Sequence, residues 1–150
     1  MNSPRPVGRF PATQRIRKRP EFQRIQGGGR RVVTAHFVLL VWARARDATP
    51  STARLGITAT RKVGSAVVRN RAKRLVREAF RATRDLWADD IDLVVIVRRV
   101  EAEFTLRTAV DEWRGVQPAL RRRAQEARKD RDRRESELAQ CLRSKQTRPD

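Results

Sequence analysis

The chain has 150 residues, a formal net charge of +19 and a pI near 11.8, with 39% hydrophobic and 35% charged residues. That length is one domain with room for tails, and a charge this large suits a polyanionic partner, nucleic acid before membrane surface. A single cysteine, Cys141, excludes an intramolecular disulfide framework and a thiolate metal cluster and fits a reducing cytoplasm, while the longest apolar run, residues 37–43, is too short to span a bilayer.

The charge lies in blocks. Residues 1–31 sum to +8, residues 61–84 to +8 and residues 121–150 to +5, whereas residues 85–120 sum to −4. Blocks of one sign point to a binding surface rather than to a uniformly basic composition.

Residues 1–14 hold three prolines and no periodic pattern, and are expected to form a flexible basic arm without a signal core. A short helix follows from Pro20, with Glu21 in its first turn and Gly27, Gly28 and Gly29 ending it through a left-handed cap. The triple glycine lacks the Lys-Ser/Thr pair of a phosphate loop. Residues 32–44 read as a strand beginning near Ala35, residues 47–52 as a loop, and residues 54–61 as an alternating, half-buried strand. The two strands are expected to pair as an antiparallel hairpin. Lys62 to Ser65 forms a turn, with Ser65 the N-cap of the next helix.

That helix carries the strongest signal. At about 100° per residue, Val68, Ala72, Leu75, Val76, Ala79, Phe80, Thr83, Leu86 and Trp87 fall within an arc of about 140°. Asn70, Arg71, Lys73, Arg74, Arg77, Arg81 and Arg84 fill the rest. One face enters a core and the other is almost pure cation. Residues 91–98 then read as a strand buried on both faces, and Thr105 as the cap of a last helix that Pro118 kinks. Beyond Arg121 the periodicity fades, and residues 121–150 are expected to be a charged tail with little to pack against. The expected domains are 1–14, 15–120 and 121–150. The expected fold is α+β, a three- or four-stranded sheet with helices on one face in the order α-β-β-α-β-α.

Catalytic constellations are scarce. His36 is the only histidine, has no acid near it in sequence, and suits a structural role. Asp85, Asp89, Asp90 and Asp92 are the best metal candidates, although a polar turn between helix and strand explains them better. The chain is expected to bind and position rather than to cut, and to bind no cofactor of its own.

Residues 61–81 resemble the signature of the bacterial ribonuclease P protein family, in Arg61-Lys62-Val63-Gly64, Ala66-Val67, Arg69-Asn70-Arg71, Lys73-Arg74, Leu75, Arg77-Glu78 and Phe80-Arg81. Arg15-Ile16, Glu21-Phe22, Phe37-Val38-Leu39, Arg54-Leu55-Gly56-Ile57 and residues 92–96 extend it over about residues 15–120. The resemblance implies a two-layer α/β sandwich with a left-handed βαβ crossover. It implies a cytoplasmic subunit, one per RNA, that binds a catalytic RNA and the 5′ leader of precursor tRNA. Magnesium is expected mainly on the RNA. By position, Arg61, Lys62, Arg69, Asn70, Arg71, Lys73, Arg74 and Arg77 would face RNA, and Arg15, Phe22 and Phe37 would form the leader cleft, with fewer aromatic rings than the family often has. From the residues alone, a non-enzymatic ribosome-associated RNA-binding protein remains the alternative. A groove-binding DNA helix fits less well, because so cationic a face has little variety for reading bases.

Overall fold

The computed structural model describes residues 11–48 and 52–147. Residues 1–10 of the expected arm, positions 49–51 of the loop and positions 148–150 of the tail lie outside them. Of the arm, Ala12–Gln14 forms a short 3-10 turn.

Among the described residues, four strands form one sheet: β1 (Arg30–Val33), β2 (Phe37–Ala43), β3 (Arg54–Thr58) and β4 (Ile91–Val97). Their spatial order is β1-β2-β4-β3. β1 and β2 are antiparallel, as are β2 and β4, while β3 runs parallel to β4. The expected hairpin between residues 32–44 and 54–61 is therefore not formed. β2 and β4 are apolar on both faces, so each gains by having neighbours on both sides, and β4 sits between β2 and β3. The alternating β3, less demanding of cover, takes an edge. The hairpin that does form joins β1 to β2, where Thr34 Oγ1 accepts from the Phe37 N–H at 3.1 Å.

Among the described residues, four α-helices cover the sheet: α1 (Arg19–Gly28), α2 (Ala66–Ala82), α3 (Leu106–Gly115) and α4 (Gln117–Gln146). Strand alternation divides the core. Phe37, Leu39, Val41, Leu93 and Val95 point to one face, where they meet Val76, Phe80, Trp87, Trp113, Leu120 and Ala127. Leu40 and Val94 point to the other, where they meet Ile16 and Ile25. Helices thus lie on both faces, α1 alone on one and α2, α3 and α4 on the other. The larger core is tied by aromatic contacts: Trp113, fully buried, stands edge-on to Phe37 and Trp87, each with ring centroids 5.8 Å away.

The local signals act as expected at most helix ends. Ser65 Oγ accepts from the Val68 N–H and Thr105 Oγ1 from the Thr108 N–H, each satisfying an orphan donor of the first turn. Gly64, at φ 148°, is the only positive-φ residue among those described and makes the turn into α2. The end of α1 differs from expectation: its cap Gly29 is extended, at φ −70° and ψ 150°. Gly28 serves close approach instead, since a Cβ there would stand 3.0 Å from the Trp42 ring.

The largest difference is at the C-terminal end. The last helix breaks at Gly115–Val116, with Pro118 in the first turn of α4, and α4 then continues unbroken through Gln146. The stretch read as a tail packs through Ala124 and Ala127 and through ion pairs to the body. Arg30 reaches Asp130 with two hydrogen bonds of 2.8 Å. Arg128 donates to Asp90 at 2.9 and 3.0 Å, and Arg131 at 2.9 Å. With Arg128 and then Arg131 donating to it, the Asp90 carboxyl is held well below the usual range, at about 2.

Three of the four candidate metal acids, Asp85, Asp90 and Asp92, are committed to arginines. Asp92 is buried and receives Arg44 at 2.6 Å and Arg54 at 2.7 Å, and Asp85 pairs with Arg114 at 2.9 Å. Among the described residues no three His, Cys, Asp or Glu side chains are grouped to hold a metal ion, and no helix is long and apolar enough to cross a membrane.

Candidate nucleic-acid interface

α2 buries Ala72, Val76, Ala79 and Phe80 and turns its cations outward. Arg61 and Lys62 stand exposed on the 3-10 turn just before it, with Asn70, Arg71 and Arg74 exposed along it. Arg69, Lys73 and Arg77 are half-buried. The cationic face therefore comprises separate rows.

One row borders a cleft. Lys73 and Arg77 face Arg15, Arg17 and Phe22 across the edge of β3, enclosing about 330 Å³. Extended backbone builds the opposite wall: Ile16 donates its N–H to the Leu55 carbonyl at 3.0 Å, burying Ile16 and, by the period of two, turning Arg15 and Arg17 the other way. Phe22 lies flat enough on β3 that a Cβ on Gly56 would come within 2.6 Å of its ring. The lining is four cations, one aromatic ring and apolar floor, with no carboxylate. Such a groove accommodates an extended anionic strand, with cations for phosphates and a ring face for a base.

Of the three residues expected in the cleft, Arg15 and Phe22 line it and Phe37 does not. Phe37 is 1% exposed and sits in the larger core beside Phe104 and Trp113, on the opposite face of the sheet. The period of a strand decides this, since adjacent residues point to opposite faces. Arg17 joins Arg15 and Phe22 as a lining residue outside the expected set; its signal in the sequence is its place two residues after Arg15, flanking a buried isoleucine. Lys73 and Arg77, expected to face RNA with the rest of α2, are the members of that set which also line the cleft.

Another cation of α2 is partly occupied. Arg71 donates to the carbonyls of Glu101, Ala102 and Phe104 at 3.4, 3.2 and 2.6 Å, so it clamps the loop between β4 and α3. The same loop holds His36. Its Nε2 lies 2.7 Å from Glu101 and its Nδ1 2.9 Å from Glu112, whose other oxygen accepts the His36 backbone N–H at 2.8 Å. Both acids are distant in sequence, so nothing beside His36 in the chain reveals them. The Glu101 carboxyl is held below its ordinary range by its own backbone N–H and then by His36. His36 thus ties the β1–β2 turn to α3.

A ribonuclease P family model matches residues 10–123. The ribonuclease P protein component of Desulforapulum autotrophicum is 38% identical over 103 residues, covering 69% of this chain and 85% of that protein. That of Desulfovibrio desulfuricans is 40% identical over 118 residues, covering 77% and 86%. Among solved structures, the Staphylococcus aureus RNase P protein superposes with a TM-score of 0.60 at 30% identity, covering 71% of this chain and 94% of that one. The Thermotoga maritima RNase P protein gives 0.58 at 29% identity, covering 69% and 94%.

Proposed function

The chain belongs to the ribonuclease P protein family and is a subunit of that endoribonuclease, and on this premise we propose how its surfaces divide the work. The exposed set of Arg61, Lys62, Asn70 and Arg74, with the half-buried Arg69 beside it, binds the backbone of the RNA subunit. Arginine forks suit phosphate oxygens, and Asn70 suits sugar or backbone. The cleft of Arg15, Arg17, Phe22, Lys73 and Arg77 holds the single-stranded 5′ leader of precursor tRNA. The RNA subunit, with its magnesium, carries out the hydrolysis in the cytoplasm, one protein to each RNA. In support, three of the four acids that could have served a protein-borne metal, Asp85, Asp90 and Asp92, are taken by arginines. Family membership disfavours the alternative of a ribosome-associated RNA-binding protein without a part in cleavage.

The observation that carries the leader assignment is the convergence of four cations and one ring, without an acid, on one groove. Phe22 is half-buried, so its replacement by alanine leaves the larger core untouched. The Phe22→Ala and Lys73→Gln variants are expected to bind precursor tRNA with a leader more weakly, by roughly tenfold for the lost stacking on Phe22 and through the lost phosphate contact at Lys73. Affinity for tRNA without a leader should stay as it was. The check is the ratio of the two affinities, measured with the RNA subunit present. An unchanged ratio removes the leader from this cleft.

A further inference from the structure

The family match ends at residue 123, yet α4 runs on to Gln146, and its outer face carries a pattern that its inner packing does not require. Stepping about 100° per residue along the helix, Arg121, Arg122, Lys129, Arg133 and Arg143 fall within about 120°. Gln125, Ser136 and Gln140 lie among them, and Asp132 is the one acid. The packed residues, Leu120, Ala127 and Arg131, point the opposite way. Most of the helix's acids are drawn off toward other cations. Asp130 is taken by Arg30, Asp132 by Arg46 at 3.0 Å, and Glu126 by Arg123 at 2.8 Å. Among the described residues, Arg121, Arg122, Lys129 and Arg143 make no ion pair, and all four are exposed. The row runs about 33 Å along the helix axis.

A solvated outer face ordinarily mixes its signs. This one concentrates uncompensated positive charge, and residues 136–147 are exposed throughout, with Leu138 and Leu142 at 60% and 54%. A helix end without packing is marginal in water. A polyanion along the outer face accounts for the uncompensated charge, while Leu138 and Leu142 lie toward the packed side of the helix.

We propose that the outer face of α4 is a second RNA-binding surface, which lies along the phosphate backbone of a helical segment of the ribonuclease P RNA subunit. The proposal rests on the family reading of the chain. Lysine and arginine at about one-turn intervals match backbone contact, and the interleaved glutamine and serine side chains suit sugar and phosphate oxygens without reading sequence. The RNA subunit is the occupant rather than precursor tRNA because of position. The leader cleft borders β3, whereas α4 covers β1 and β2, two to three strand spacings or about 10 to 14 Å across the sheet.

The test uses the full chain carrying Arg121→Gln, Arg122→Gln, Lys129→Gln and Arg143→Gln together. Its affinity for a transcript of the RNA subunit is measured across a salt series, beside an α2 variant and beside binding to precursor tRNA alone. The fourfold variant is expected to lose at least about tenfold in affinity for the RNA subunit and roughly 3 from the slope of log K on log salt, as released counterions require. Its affinity for precursor tRNA alone should not change. An iron chelate tethered to the exposed Cys141 should cleave a helical RNA segment apart from the one that α2 protects. Wild-type affinity and slope for the fourfold variant, with the α2 variant weakened, overturn the proposal and leave the family reading standing. A loss confined to precursor tRNA overturns the choice of occupant. If only the fourfold variant is weakened, the α4 surface stands and the role given to α2 falls.

Discussion

Replacing Arg69 and Arg74 together by alanine is expected to weaken binding to the RNA subunit by at least about tenfold and to lower the salt slope by roughly 2, the effect of two lost phosphate contacts. Both side chains leave the surface of α2 without an ion pair among the described residues, and the helix's core positions, Ala72, Val76, Ala79 and Phe80, are untouched. The melting temperature should therefore barely move. Arg71→Ala makes an instructive contrast. Its guanidinium holds three carbonyls of the β4–α3 loop, so its loss should reduce stability by about 1 kcal/mol or more as well as affinity. Equilibrium binding at several salt concentrations, paired with thermal melts, separates the two behaviours. An unchanged slope in the Arg69/Arg74 variant would remove α2 from the RNA interface.

The greatest loss of stability should follow from Asp92→Asn. Asp92 is 2% exposed and receives two guanidiniums, Arg44 at 2.6 Å and Arg54 through bonds of 2.9 and 2.7 Å. Arg44, itself buried, also donates to the carbonyls of Ile91, Thr52 and Asp89. The cluster therefore fastens the β2–β3 connection to the start of β4. Neutralising its one buried carboxylate leaves buried positive charge uncompensated, a cost of about 3 to 5 kcal/mol. That is a large share of a domain's usual stability of about 5 to 15 kcal/mol. Urea unfolding of the variant measures it directly, and a loss under about 1 kcal/mol would show that the two arginines find other partners.

These two expectations differ in how visible their origin is in the sequence. The cationic face of α2, its Ser65 cap and its buried stripe are local features. Periodicity and capping chemistry act over a few residues, so they can be read from a few residues. The doubly buried β4 is legible for the same reason. The partner of β3 is not, because alternation within a strand says which face is buried and nothing about which strand lies alongside. The misplacement of Phe37 has a similar origin. The strand itself was evident, but which of its two faces met α1 depended on long-range packing, and one residue's parity moves a side chain through the sheet.

α4 shows a different limit. Its inner stripe carries Arg131 and Arg134 where apolar residues are expected. Arg131 is buried while paired with Asp90, and the Arg134 guanidinium lies 3.8 Å over the Trp42 ring while donating to the Ala43 carbonyl at 3.1 Å. Arginine stems bury well along apolar surface, so a packed face can look like a charged tail when hydrophobic residues alone are counted. In the cleft, Arg15 and Phe22 were evident through family resemblance, whereas Arg17 and the inward share of Lys73 and Arg77 depend on how the segment around Ile16 adds to the edge of β3. His36 is the simplest case: its two glutamates lie 65 and 76 residues away.

The central claim is that this chain assists cleavage by binding RNA and does not cleave by itself. Single-turnover processing of precursor tRNA at low magnesium tests it most directly, with the chain alone, the RNA subunit alone, and both together. The account predicts no cleavage by the chain alone, slow cleavage by the RNA alone, and faster cleavage at the mature 5′ end when both are present. Cleavage by the purified chain without RNA, or a rate that the chain leaves unchanged, would contradict it.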